Sequence, residues 1–268
     1  INLLVGRLVA SYYEGGIAWL SYADRVYQLP LGVVGIAIGI VLLPNLAKKL
    51  ANNDNAGGQN SFNRSLEFSL IIALPSAIAL IVMSNVIISA LFERGAFSSL
   101  DTLKTAAALT IYGIGLPAFI GQKIYQPIFY ARENTRSPFY FALIAMAVNL
   151  TLAVSLAQTF GYLASALGTT IASWTMLLLL KNSSKNYGPA TQIDSRNKRV
   201  IPRVVIASLI MGGLLLITNH LLSTTFFDVR NKYVVLLIMM FVGGFSYILI
   251  GQLIEAFSFK EIKSYFKK

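Results

Sequence analysis

The sequence predicts an all-α, polytopic membrane helix bundle, and three observations carry that prediction. Of 268 residues, 56% are hydrophobic and only 12% charged, with a mean hydropathy of +0.65. Soluble domains carry about 25% charged residues, so this chain lacks the polar surface that a water-soluble enzyme needs. Second, no Asp, Glu, Lys or Arg occurs in 26–47, 68–92, 105–122, 137–180, 204–227 or 233–254. Runs of that length read as membrane-crossing helices. Third, the alternating segments of about ten residues that build transmembrane barrels are absent from the sequence.

Taken in order, residues 1–13 are apolar and helix-like but too short to cross a bilayer. With no initiating Met, basic n-region or cleavage site, they read as the end of a span that begins elsewhere. The chain is thus expected to be the C-terminal part of a larger transporter-like protein. Seven complete spans follow, at about 17–47, 66–92, 104–130, 137–157, 162–181, 204–222 and 233–255. The 137–180 run would make one helix roughly 66 Å long, about twice the hydrocarbon thickness, so it must fold back. Gln158-Thr159-Phe160-Gly161 is the polar, glycine-bearing place for that turn. The Asn/Gly-rich stretch 50–63 and the Ser/Asn/Lys-rich stretch 182–199 read as flexible cytoplasmic linkers. The second separates residues 1–181 from a final helix pair with a basic tail, 200–268.

The net charge of +11 is expected to come from cytoplasmic loops rather than from nucleic-acid binding. If the Glu14-Gly15-Gly16 turn lies outside, Lys48, Lys49, Arg64, Arg132, Arg136, Lys181, Lys185, Arg196, Lys198, Arg199, Arg203, Lys260, Lys263, Lys267 and Lys268 fall inside. Only Arg94, Lys104, Arg230 and Lys232 fall outside, which places the C-terminus in the cytoplasm. Without cysteine there are no disulfides or thiolate metal sites. No nucleotide loop or zincin motif is present, and the one histidine, His220, sits where an interfacial residue needs no metal. The sequence therefore points to no metal site and no cofactor. Gly212-Gly213 and Gly243-Gly244 read as helix-packing positions.

Two intramembrane charges stand out in the first complete span. Arg25 lies roughly 14 Å below the outer boundary by helical rise, near the midplane. An Arg there costs about 2.5–3.5 kcal/mol on insertion scales. Adjacent helical residues point about 100° apart, so Asp24 and Arg25 are poorly placed to satisfy each other. An interhelical salt bridge and an anion-binding role in an aqueous cavity both remain open. Ser21, Arg25, Gln28, Gly32, Gly35 and Gly39 recur at steps of three and four and share one face. Its first half is polar and its second half bare glycine, suited to close approach of another backbone. Pro30 removes a backbone hydrogen bond and invites a bend. This face is expected to line an interior cleft. Lys123 is the other intramembrane cation, either snorkelling to the interface or facing the same cavity. Asn149, Thr151 and Ser155 offer interhelical hydrogen bonds or ion ligands.

The segment Trp19 to Lys49, WLSYADRVYQLPLGVVGIAIGIVLLPNLAKK, resembles the MurJ/MviN family of lipid II flippases, as do ALPSA at 73–77, LFERGAF at 91–97 and FYARENTRSP at 129–138. The resemblance implies the second lobe of a two-lobed alternating-access transporter of the multidrug/oligosaccharidyl-lipid/polysaccharide exporter superfamily, plus a final helix pair that grooves the lipid tail. It implies lipid II as substrate, a first lobe and membrane lipids as partners, and the bacterial inner membrane as location. It places the family's cavity arginine on Arg25, its neighbouring Asp on Asp24, and its lysine before FYAR on Lys123. A glutamate that some members carry is Gln28 here, which weakens carboxylate-based proton coupling. Coupling to membrane potential or to a cation stays open. A drug/cation antiporter or another lipid-linked oligosaccharide exporter of the superfamily, and a non-transporting membrane scaffold, are the competing readings.

Overall fold

The computed structural model describes residues 2–38, 43–52, 54–222 and 231–257, and all its regular elements there are helical. Gly39, Arg230 and the Lys260–Lys268 tail, all part of the sequence reading, lie outside the described residues. The helices are α1 (Asn2–Ser11), α2 (Gly16–Ala37), α3 (Leu43–Ala51), α4 (Asn55–Val82), α5 (Ser84–Phe92) and α6 (Ser99–Tyr130). They continue as α7 (Arg136–Ser155), the single turn α8 (Ala157–Phe160), α9 (Leu163–Ser184), α10 (Ser195–Leu221) and α11 (Lys232–Leu253). A 3-10 segment, Lys185–Thr191, joins α9 to α10.

Among the described residues, six helices are long and apolar enough to cross a membrane: α4, α6, α7, α9, α10 and α11. Of the seventh expected span, 17–47, residues 39–42 lie outside the described residues; α2 covers its first part through Ala37, and α3 begins at Leu43. The span expected at 66–92 is divided at Met83, where α4 ends and α5 begins. The expected fold-back occurs at Gly161, whose φ of 59° and ψ of −138° suit a residue without Cβ.

The linker expectation for 50–63 is corrected. Asp54 caps α4 by accepting from the Gly57 N–H at 2.8 Å, and the helix starts at Asn55. An Asn/Gly-rich composition lowers helix propensity, but the cap and tertiary contacts override it. Residues 182–199 likewise hold the end of α9, the 3-10 segment and the first turn of α10 rather than a free loop.

The main core lies where α6 packs against α2, α4 and α9, around Leu109, Leu116, Ile120, Ile124 and Phe129, all fully buried. A second core joins α10 and α11 to α4 through Val204, Met211, Leu215 and Met239. Gly212 makes that approach possible, because a Cβ there would stand 2.5 Å from Ile78 Cγ2. Gly243 packs on Leu215, while Gly213 and Gly244 face open space. Large apolar side chains exposed on α7 and α11, such as Phe139, Tyr140, Phe241 and Phe245, are what a lipid-facing surface requires.

Candidate functional site

The two sides of α2 divide cleanly. Leu20, Ala23, Val26, Tyr27 and Val34 are buried against the core, whereas Arg25, Gln28, Leu29, Gly32, Val33 and Ile36 are exposed. Apolar burial drives the first set inward, and helical periodicity carries the second to the opposite side. Ser21, Asp24, Pro30 and Gly35 lie at the margin, partly exposed. The α-helix continues through Pro30 to Ala37. Nothing among the described residues stands within 4 Å of where a Cβ would sit on Gly32 or Gly35, so the face is open at these two glycines.

Aromatic and polar contacts hold α2 in register with α6. Trp19 Nε1 donates to Asp101 Oδ1 at 2.7 Å, and Asp101 in turn completes a capping box with Ser98 at the start of α6. The Trp19 ring meets Tyr162 edge-on at 4.9 Å. Further along, Tyr27 packs against Tyr112 at 5.0 Å and Phe119 at 5.4 Å. The two helices therefore run parallel from the Asp101 end of the bundle.

Asp24 and Arg25 do not pair. The Gln28 amide donates to the Asp24 carboxylate, Tyr27 faces the same group, and Arg7 of α1 acts on it electrostatically. Arg25 reaches only the Tyr22 ring, at 6.0 Å, and has no carboxylate partner among the described residues. Ser21 donates to the Ile17 carbonyl within its own helix. The sequence places Arg7 in or near a span, with Arg25 and Lys123, but gives it no site role, because its helix reads only as the end of a span. Its charge on an apolar helix was the available signal.

Lys123 is exposed on α6, one turn beyond Phe119. Since Tyr27 stands against residues 112 and 119, Arg25 is level with about residues 110–117 of α6. At 1.5 Å per residue, Lys123 is roughly 10–20 Å further along the bundle. Both cations are exposed, but at different depths.

The other candidate polar groups are placed differently from expectation. Thr151 and Ser155 donate to carbonyls of their own helix, and the Asn149 amide is buried against Gly168 with no hydrogen-bond partner in the described structure. The interhelical bonds expected of these three are therefore not made. His220 is exposed near the end of α10, and no cluster of metal-ligating side chains occurs among the described residues. A cleft of about 370 Å³ opens between α5, α6 and α11, lined by Ser89, Glu93, Thr102 and Lys232. There Thr102 donates to the Glu93 carboxylate at 2.7 Å and holds its pKa below the ordinary value. That cleft does not include α2.

Most remaining charges cluster at the opposite, Asp194 end. Glu67 of α4, only 2% exposed, receives Arg64 from its own helix and Arg196 from α10, the latter through Nη2 at 2.7 Å and Nε at 3.2 Å. Arg64 also bridges to Asp194, which caps α10 by accepting from Asn197 N–H at 2.7 Å. Buried Asn63 receives the Asp194 N–H at 3.0 Å and donates to the Gln192 carbonyl at 2.8 Å.

Comparison with known proteins agrees with this architecture. The family model for lipid II flippase MurJ matches residues 1–238. A probable lipid II flippase MurJ of Rhizobium tropici is 43% identical over 220 residues, covering 82% of this chain and 41% of the relative. One from Rhizobium meliloti (strain 1021) is 45% identical over 218 residues, covering 80% and 40%. A solved structure of lipid II flippase MurJ in an inward closed conformation superposes with a TM-score of 0.79 at 29% identity, covering 94% of this chain and 50% of that one. The chain thus spans about half the length of the relatives it matches. With its apolar helices, open α2 face and matching fold, this chain belongs to the MurJ lipid II flippase family of multi-pass membrane transporters.

Proposed function

We propose that this chain supplies half of a transporter that carries lipid II across the bacterial cytoplasmic membrane by alternating access, with Arg25 receiving the diphosphate. The observation that carries the reading is an exposed guanidinium with no carboxylate partner among the described residues, on a helix whose sequence puts it near midplane depth. A desolvated arginine is too costly to keep there without a partner or water. A guanidinium binds phosphate oxygens in bidentate fashion, and the diphosphate is the most strongly anionic part of such a lipid. Asp24, Gln28 and Ser21 would tune the polar half of the face, and Lys123 would meet the substrate at another depth. Pro30, Gly32 and Gly35 would let α2 bend and a facing helix close over it.

Residues 1–181 act as the transport lobe, 182–199 as the join, and 200–268 as the final pair. The exposed apolar face of α11, including Leu237, Phe241, Phe245 and Leu249, suits a polyprenyl tail. The helix order groups Lys48, Lys49, Arg64, Arg132, Lys185 and Arg196 at one end of the bundle, which favours that end, and the C-terminus, as cytoplasmic. The family match favours this substrate over the drug/cation antiporter and scaffold readings. Flipping of labelled lipid II by the intact protein in proteoliposomes tests the proposal. Arg25→Ala is expected to abolish flipping with membrane insertion intact, and wild-type flipping by that variant would contradict it.

A further inference from the structure

The join between α9 and α10 is tied to more helices than a linker needs. Toward α4, it uses the Asp194 carboxylate on Arg64, the Gln192 carbonyl on Asn63, and Arg196 on buried Glu67. Asn197 adds Nδ2 bonds to the Asn63 carbonyl at 2.8 Å and to its Oδ1 at 2.9 Å. Toward the α6–α7 turn, it uses Tyr187. The Arg132 guanidinium lies over that ring at 4.7 Å and donates to the Tyr187 carbonyl at 3.2 Å, while Asn134 donates to the Tyr187 hydroxyl at 2.6 Å. Phe129 closes on the same ring at 5.2 Å. Covalently, the segment continues α9 and begins α10, so four helix ends converge on thirteen residues, 185–197.

The neighbouring half of α2 has no equivalent. Its residues 29–37 are Leu, Pro, Leu, Gly, Val, Val, Gly, Ile and Ala, with no side chain able to form a hydrogen bond or ion pair. Its polar and aromatic attachments, at Trp19, Tyr22 and Tyr27, all lie toward the other end.

We infer that residues 185–197 are a strap that holds the Asp194-end termini of α4, α6, α9 and α10 at fixed separations, so that conformational change at that end is carried by α2. A buried hydrogen-bonded charge favours one discrete arrangement, because displacement leaves the Glu67 carboxylate, only 2% exposed, desolvated without its arginine partners. An apolar, glycine-bearing half-helix has no such penalty and slides or bends at low cost. The final helix pair is then a rigid extension of the lobe rather than a separately moving unit.

The motion of α2 rests on the transport reading; the strap itself does not. Paired spin labels in the intact, otherwise cysteine-free protein test both. Labels at Asn60 (α4) and Arg199 (α10), both exposed, are expected to give one narrow distance distribution, the same with and without lipid II. Labels at Val33 and Asn60 are expected to shift on adding lipid II. Tyr187→Ala, which leaves the buried Glu67 group intact, and Glu67→Gln should each broaden the Asn60–Arg199 distribution in substrate-free protein. The strap is overturned if that distribution shifts with lipid II as far as the Val33 pair, or if both variants leave its width unchanged. If neither pair responds to lipid II while both variants broaden the first, the strap stands and the transport reading fails.

Discussion

On α2, Arg25 and Gln28 stand exposed beside bare glycine, whereas at the Asp194 end Arg64 and Arg196 close on a Glu67 carboxylate that is 2% exposed. The same residue types thus serve two purposes, and pairing separates them. In the second region Arg64, Glu67, Asp194 and Arg196 all have an opposite charge in reach, which fixes their geometry. In the first, the carboxylate is occupied by an amide and the guanidinium is left over. A cation that makes no visible contribution to folding and is costly in a membrane is what the proposed diphosphate contact requires.

The comparison predicts opposite phenotypes. The largest effect is expected from Glu67→Gln, which leaves two arginines facing a neutral amide. Breaking such a buried pair costs about 3 kcal/mol, the lower end of the usual range because Arg196 is partly exposed. Thermal unfolding in detergent should show that loss, while flipping per folded molecule changes little. Gly32→Leu should do the reverse. The open space beside it predicts unfolding within about 0.5 kcal/mol of wild type. Flipping should fall about tenfold, equivalent to roughly 1.4 kcal/mol, as a side chain obstructs closure over the face. Trp19→Phe removes the bond to Asp101 and should cost about 1 kcal/mol of stability by the same unfolding measurement. Lys123→Ala should be mildest, lowering flipping by less than about threefold, under roughly 0.7 kcal/mol, because Lys123 lies at another depth. A loss matching that of Arg25→Ala would place both cations on one substrate group.

Much of this was legible in the sequence, for reasons that also mark where legibility stops. Charge-free runs located the apolar helices, and Gly161 located the fold-back, because both follow from local composition and backbone freedom. The polar face of α2 was legible because helical period acts within one segment. The Glu67 cluster was not: Glu67 is separated by about 130 positions from Asp194 and Arg196, and nothing local says that they meet. For the same reason, the stretches 50–63 and 182–199 read as flexible, although Asn63 and Asp194 bind each other. Asn149 was legible as a buried amide but not as one left without a partner.

The account stands on the α2 face being wet and reached by the diphosphate. Single cysteines at 21, 28 and 32 in a cysteine-free form of the intact protein can be probed with an aqueous thiol reagent. All three should label, lipid II should protect them, and Arg25→Ala should abolish that protection. Failure of all three to label from either side of the membrane, or protection by lipid II that persists without Arg25, would contradict the account.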